Sequence, residues 1–175
     1  MSPAGPVPPT PSCLIVVPSF RCPLRCKHCD LPDLPGEHLP GELWGERLEE
    51  LAGEVGRPFL VGISGGEPLV YPGILDIVEA CKRAGLLTSL ATSTLPLTRE
   101  RAERLLAAGL NSLVAPLDGL GLNHDELRRR PGLFEQTINA MRLVKELSPA
   151  LHLSVLTTVT ARNIGQLTSL AHWVW

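Results

Sequence analysis

The feature that most restricts the fold is a strict alternation of two hydrophobic periods along the chain. Short, nearly continuous apolar runs occur at Cys13–Val17, Phe59–Ile63, Leu86–Thr92, Ser112–Leu117 and Leu151–Val159. Runs of that length predict strands buried on both faces. Between them, apolar residues recur at helical spacing: Trp44, Leu48, Leu51 and Val55; Ile74, Ile77, Val78 and Cys81; Ala102, Leu105 and Leu106. Phe134, Ile138, Met141 and Val144 make a fourth stripe, and Ile164, Leu167, Leu170, Ala171 and Val174 a fifth. Boundary residues agree with these helices. Pro72 opens the second, Thr98 caps the third, and Asn163 with Gln166 resembles a capping box for the fifth. Five βα units with short connections imply an α/β fold on a parallel sheet, either doubly wound or curled into a barrel.

Composition narrows the class further. The 175 residues suit one domain, and 44% hydrophobic content with only 4% aromatics makes its core aliphatic. A net charge of −2, from 16 basic and 18 acidic side chains, leaves no electrostatic footprint for nucleic acid or an anionic membrane. No apolar run is long enough to span a bilayer. Residues 1–12 carry five prolines and neither a basic nor an apolar signal region, so they read as a disordered or extended leader with polyproline stiffness. The expectation is a cytoplasmic domain, residues 13–175, or a piece of one.

The unusual residues gather at the carboxyl ends of the strands, the ligand-binding face of both architectures. Five cysteines, an odd number without a secretion signal, argue against a disulfide framework. Three of them, Cys22, Cys26 and Cys29, follow the first strand with the spacing C-x3-C-x2-C. Arg21, Arg25 and Lys27 offset the charge of the thiolates. A structural zinc ion needs four protein ligands, and His28 or Cys13 would have to be the fourth. Three thiolates suit a four-iron cluster with one iron left open, whereas electron-transfer clusters close that position with a fourth cysteine. Cys81 lies on an apolar stripe and reads as core. Cys13, at the far end of the first strand, reads as inert, and His152 and His172 as structural or surface residues.

With His28 at the penultimate position, this triplet resembles the C-x3-C-x-Φ-C motif of the radical S-adenosylmethionine (SAM) enzymes. The resemblance implies a partial TIM-like (β/α) barrel with about five βα units visible, and a [4Fe-4S] cluster on Cys22, Cys26 and Cys29. It also implies reductive cleavage of SAM to a 5′-deoxyadenosyl radical that abstracts hydrogen from a substrate, in an oxygen-sensitive enzyme. Ser64-Gly65-Gly66-Glu67-Pro68 looks like the family's GGEP motif, which implies that Gly65, Gly66 and Glu67 bind the methionyl end of SAM. Glu67 would support the ammonium or hold its loop by accepting backbone N–H bonds. Leu117-Asp118-Gly119 resembles the S-L-D-G of the peptide- and cofactor-maturing branches, with Pro116 in place of the serine. Asp118 is either a SAM contact or a turn cap. Thr92-Ser93-Thr94 stands where those branches have T-N-G, making Ser93 a ribose or carboxylate contact. His124 to Phe134 is similar to a segment whose arginine pairs with the SAM carboxylate; of Arg128, Arg129 and Arg130, Arg128 is the choice.

The implied partners are a small-molecule or peptide substrate and a reductant such as flavodoxin or ferredoxin. The rival class is a non-enzymatic zinc- or cluster-binding scaffold, favoured by the departures at Pro116 and Ser93. The family's barrel has six βα units, and this chain stops within a helical stripe at Trp175. The expectation is a fragment lacking a sixth strand and a C-terminal domain, with a naturally minimal barrel as the alternative.

Overall fold

The computed structural model describes residues 11–34 and 38–174, with only the backbone at Val174. Most of the expected leader, residues 1–10, lies outside the described residues. Five strands form the sheet: β1 (Cys13–Val16), β2 (Leu60–Ile63), β3 (Leu87–Ala91), β4 (Ser112–Pro116) and β5 (His152–Leu156). Six helices accompany them: α1 (Glu42–Glu54), α2 (Ile74–Arg83), α3 (Arg99–Ala108), α4 (Leu122–Arg128), α5 (Leu133–Leu147) and α6 (Leu167–Val174). None of the helices in the described residues is long and apolar enough to cross a membrane.

All strand pairs are parallel, and the order across the sheet is β1-β2-β3-β4-β5. A doubly wound sheet reverses direction at a switch point, whereas here each strand is laid beside its predecessor. Right-handed crossovers repeated in one direction place every helix on the same face. The chain is therefore an α/β partial TIM-like barrel wall.

One-sided coverage corrects the expectation of strands buried on both faces. Burial alternates along β2 and β3. Val61, Ile63, Leu90, Leu113 and Ala115 are buried against Leu48, Ile77, Val78, Ala102, Leu105, Ile138 and Val144 of the helices. Facing the other way, Gly62, Ser89, Ala91 and Val114 are only half-buried, and Ile15 is 67% exposed. Cys81 lies in the helix-side core, where burial pushes its thiol up to about 12. Cys13 is exposed at the start of β1.

Thr98 caps α3 as expected, its hydroxyl accepting the Arg101 N–H at 3.2 Å. Pro72 stands two residues before α2, which starts at Ile74 behind Gly73. The expected capping box at Asn163 is absent, because both of its side chains are used elsewhere. Asn163 Oδ1 accepts the Thr160 N–H at 2.6 Å while its amide donates to the carbonyls of Asp118 and Thr158 at 2.7 Å each, and Gln166 accepts from the Leu120 N–H at 3.0 Å. The fifth strand also ends earlier than Val159. After Leu156 the backbone ladder gives way to bonds that involve a side chain: the Thr157 hydroxyl donates to the Leu117 carbonyl, and the Thr158 N–H to the Asp118 carboxylate. Helix α4 has no counterpart among the expected stripes. It is separated from α5 by a break at Arg129 (φ 52°) and Gly132 (φ 78°), across which Asp125 accepts the N–H groups of Gly132 and Phe134.

Candidate functional site

The five strand ends surround a cavity of about 250 Å³. The loop after β1 brings Cys22, Cys26, His28 and Cys29 to it; β2 brings Ser64, Gly65 and Gly66. From β3 come Ala91, Thr92 and Ser93, from β4 Val114 and Pro116, from α4 Arg128, and from β5 Leu156 and Thr158. Parallel strands in sequential order make this convergence unavoidable, since every carboxyl end lies on one rim.

The cysteine loop is held by its backbone. Ser19 and Arg21 carbonyls accept the N–H groups of Gly66 and Glu67 at 3.0 and 2.8 Å, and Lys27 N–H donates to the Leu127 carbonyl of α4 at 2.8 Å. The two glycines serve this contact. A Cβ on Gly65 (φ 120°) would stand 2.6 Å from the Ser19 carbonyl oxygen, and one on Gly66 would strike the carbonyls of Phe20 and Arg21. The close approach they permit is between the two loops. Leu24, 3% exposed, anchors the loop centre.

The three thiols are partly exposed to the cavity. Burial pushes the Cys22 thiol up, against an opposing hydrogen bond from the Leu24 N–H at 3.4 Å. Burial does the same to Cys26, where the Arg128 guanidinium opposes it. Nη1 of Arg128 is 3.9 Å from Cys26 Sγ. Burial also lowers the His28 imidazole. Among the described residues, no three His, Cys, Asp or Glu side chains are gathered as one metal ion requires. A polynuclear cluster attaches each thiolate to a different iron and needs no such gathering. Three soft thiolate donors around a cavity, with a cation against one of them, fit a cluster of that kind. Arg21, Arg25 and Lys27 are exposed, turned outward along the loop.

Two buried carboxylates flank the cavity. Glu67, 1% exposed, accepts from the Leu69 N–H (3.0 Å), the Thr92 hydroxyl (2.7 Å), the Ser93 N–H (2.8 Å) and the Ser93 hydroxyl. These contacts tie β2's loop to β3's and occupy Ser93. Asp118 is fully buried and ion-paired to Nε of Arg128 at 2.6 Å. Its other oxygen accepts the Thr158 N–H at 2.8 Å, and its own N–H donates to Nδ1 of His124 at 3.1 Å. Accepting at Nδ1 leaves His124 with its proton on Nε2, which is buried without a partner. Burial lowers this imidazole to about 4, with Arg128 acting in the same direction. Arg129 and Arg130 are exposed. Of the three arginines, only Arg128 lines the cavity.

Asn163, His124 and Thr158 have roles that sequence patterns did not reveal. Asn163 and Gln166 carry a capping signature, and the tertiary contact that overrides it joins β4's loop to β5's across more than 40 positions. Thr158 falls in the apolar run Leu151–Val159, but its N–H bond to Asp118 has no local pattern.

The radical SAM superfamily model matches residues 16–174. The chain therefore belongs to the radical SAM superfamily. Among individual relatives, it is 34% identical over 151 residues to an AdoMet-dependent heme synthase of Methanosarcina barkeri, covering 84% of this chain and 42% of that protein. It is 41% identical over 95 residues to a PqqA peptide cyclase of Bradyrhizobium diazoefficiens, covering 53% of this chain and 24% of that one. Its fold superposes on Streptococcus suis SuiB bound to S-adenosylmethionine with a TM-score of 0.82 at 22% identity, covering 94% of this chain and 38% of SuiB. A structure of SuiB bound to the precursor peptide SuiA gives 0.80, also at 22% identity, covering 94% and 36%. The chain spans about two-fifths or less of the length of these relatives.

Proposed function

We propose that this chain is the catalytic core of a radical SAM enzyme acting in peptide or cofactor maturation. The observation that carries the reading is the convergence of Cys22, Cys26 and Cys29 with the GGEP loop on one cavity. The three thiolates would hold a [4Fe-4S] cluster, and Gly65, Gly66, Ser93 and Arg128 would line the space for SAM. Bound there, a reduced cluster would supply one electron for cleaving a carbon–sulfur bond of the SAM sulfonium, with methionine as the leaving group. The chain's own residues bind, orient and shield. Glu67 locks the loops after β2 and β3 into one wall, and its negative charge favours an ammonium nearby. Arg128 offers a guanidinium to an anionic ligand group while Asp118 restrains it. Leu24, Val114, Pro116 and Leu156 line the cavity with apolar surface that excludes water.

Support for the maturation class comes from relatives named as heme synthase and peptide cyclase, and from the SuiA peptide bound by SuiB. We propose a one-electron donor such as flavodoxin or ferredoxin, to which the exposed Arg21, Arg25 and Lys27 present a cationic edge.

Anaerobic reconstitution tests the reading. About four iron and four sulfide per chain are expected, with 5′-deoxyadenosine released from SAM under dithionite. Retention of zinc alone, with no nucleoside formed, favours the scaffold alternative and overturns the enzyme reading. Cys26→Ala removes one of three thiolates and is expected to abolish both cluster and cleavage; normal content in that variant refutes the ligand assignment.

A further inference from the structure

The ion pair between Asp118 and Arg128 is buried, short and directed. Asp118 has no exposed surface and Arg128 keeps 13% of its side chain exposed. Asp118 takes Nε at 2.6 Å, so the guanidinium is held by one edge while Nη1 points toward Cys26 Sγ, 3.9 Å away. Asp118 is itself immobilised by the Thr158 and His124 contacts and by the Asn163 bond to its carbonyl. The Lys27–Leu127 backbone bond joins the cysteine loop to α4 beside the same arginine. A lone arginine on a seven-residue helix would sweep many rotamers. This one is fixed at both ends.

We propose that Asp118 is a positioning residue that pins the Arg128 guanidinium against the Cys26 thiolate, placing a permanent cation beside one ligand of the cluster. This inference rests on the cluster reading above. Reduction adds one negative charge to the cluster, so a nearby fixed cation favours the reduced state and raises the potential. Nη1 of Arg128 lies 3.9 Å from Cys26 Sγ, whereas Asp118 holds the guanidinium by its Nε edge. The pair thus acts as an oriented dipole with its positive end at the thiolate. The device makes the electron easier to deliver without touching substrate.

The test is a potentiometric titration of the reconstituted chain, monitored by electron paramagnetic resonance, with iron counted in each sample. Arg128→Gln is expected to keep iron but to lower the reduced-to-oxidised ratio about tenfold at a fixed potential, or ~59 mV for one electron. Asp118→Asn decides how the effect arises. An amide donor facing Nε releases the guanidinium to solvent, so the potential is expected to fall toward that of Arg128→Gln. A potential that rises in Asp118→Asn means that Arg128 holds its place alone, which overturns the positioning role. The double variant Asp118→Asn/Arg128→Gln leaves no unpaired buried charge and guards against misfolding of either single change. It is expected to read below wild type; a value equal to wild type overturns the proposal. A wild-type chain that holds no iron overturns the cluster reading and this inference together. Full iron with unshifted potentials in all variants overturns this inference alone.

Discussion

Glu67 and Asp118 are two carboxylates buried at the ends of alternate strands, and their negative charges are handled in opposite ways. Glu67 is surrounded by neutral donors: two backbone N–H groups and two hydroxyls, with no cation among its hydrogen-bond partners. Asp118 is matched to a guanidinium at 2.6 Å. The Glu67 side of the cavity therefore keeps a negative charge that ordinary dipoles stabilise, and it adds to the upward push on the Cys22 thiol. The Asp118 side is neutralised, and its cation opposes the upward push on Cys26. Hydrogen bonding alone makes Glu67 a fastener between loops that still attracts cations. Ion pairing makes Asp118 a handle on an arginine. The same functional group does two jobs because its partners differ.

The strongest way to break this contrast is Asp118→Ala, which leaves Arg128 buried without its counterion. A loss of about 4 kcal/mol in urea unfolding is expected, against a much smaller loss when both members are replaced by apolar residues of similar volume. Equal losses in the two variants would mean that the pair is not the unit. Next comes pH. His124 neighbours Arg128, Asp118, Asp125 and His28, and burial holds it neutral to about pH 4. The unfolded chain protonates the same imidazole near 6.5. Over that window the unfolded state binds more protons, so stability falls as pH drops from about 6.5 to 4, by about 3 kcal/mol in all. In His124→Asn this component of the pH slope should vanish in unfolding titrations. The Glu67 side has no imidazole in its hydrogen-bond set, so His124→Asn isolates the Asp118 side.

Glu67→Gln sharpens the other half of the comparison. The amide keeps the shape but turns an N–H₂ toward donors, and a loss of about 2 kcal/mol is expected by denaturant unfolding. Because this wall is held by neutral donors, its loss should be smaller than that for Asp118→Ala. The smallest effect serves as a control distant from both carboxylates. Thr98→Ala removes the α3 cap and should cost about 1 kcal/mol by thermal or urea melts, with iron content unchanged.

Much of the architecture is legible in one dimension because period reports burial. The five apolar runs became β1 to β5, and the stripes beginning at Trp44, Ile74, Ala102 and Phe134 lie in α1, α2, α3 and α5. Local chemistry likewise marked Thr98 as a cap and the cysteine triplet as a loop at a strand end. Helix α4 escaped because seven residues with buried His124 and Leu127 make too short a stripe to separate from a loop. Asn163 and Gln166 misled because a cap signature is local, while the groups they satisfy lie on another loop. Nothing local separates Arg128 from the two arginines that follow it; α4 ends at Arg128, and the left-handed backbone at Arg129 (φ 52°) leaves Arg129 and Arg130 exposed.

The chain's own sequence determined that strands and helices would alternate on a parallel sheet, and that cysteines and glycines would fall together at strand ends. Hydrophobic period and residue spacing are properties of neighbouring residues, so they need no fold to be read. Periodicity left a doubly wound sheet and a barrel wall open; the motif resemblance implied the barrel, and strand order in the tertiary structure established it. The tertiary structure alone uncovered one face of the strands, placed Arg128 at the cavity against Asp118, and gave Glu67 and Asp118 their different partners. Those outcomes depend on contacts between segments tens of residues apart, where hydrogen-bond geometry and burial, rather than local preference, set which group meets which.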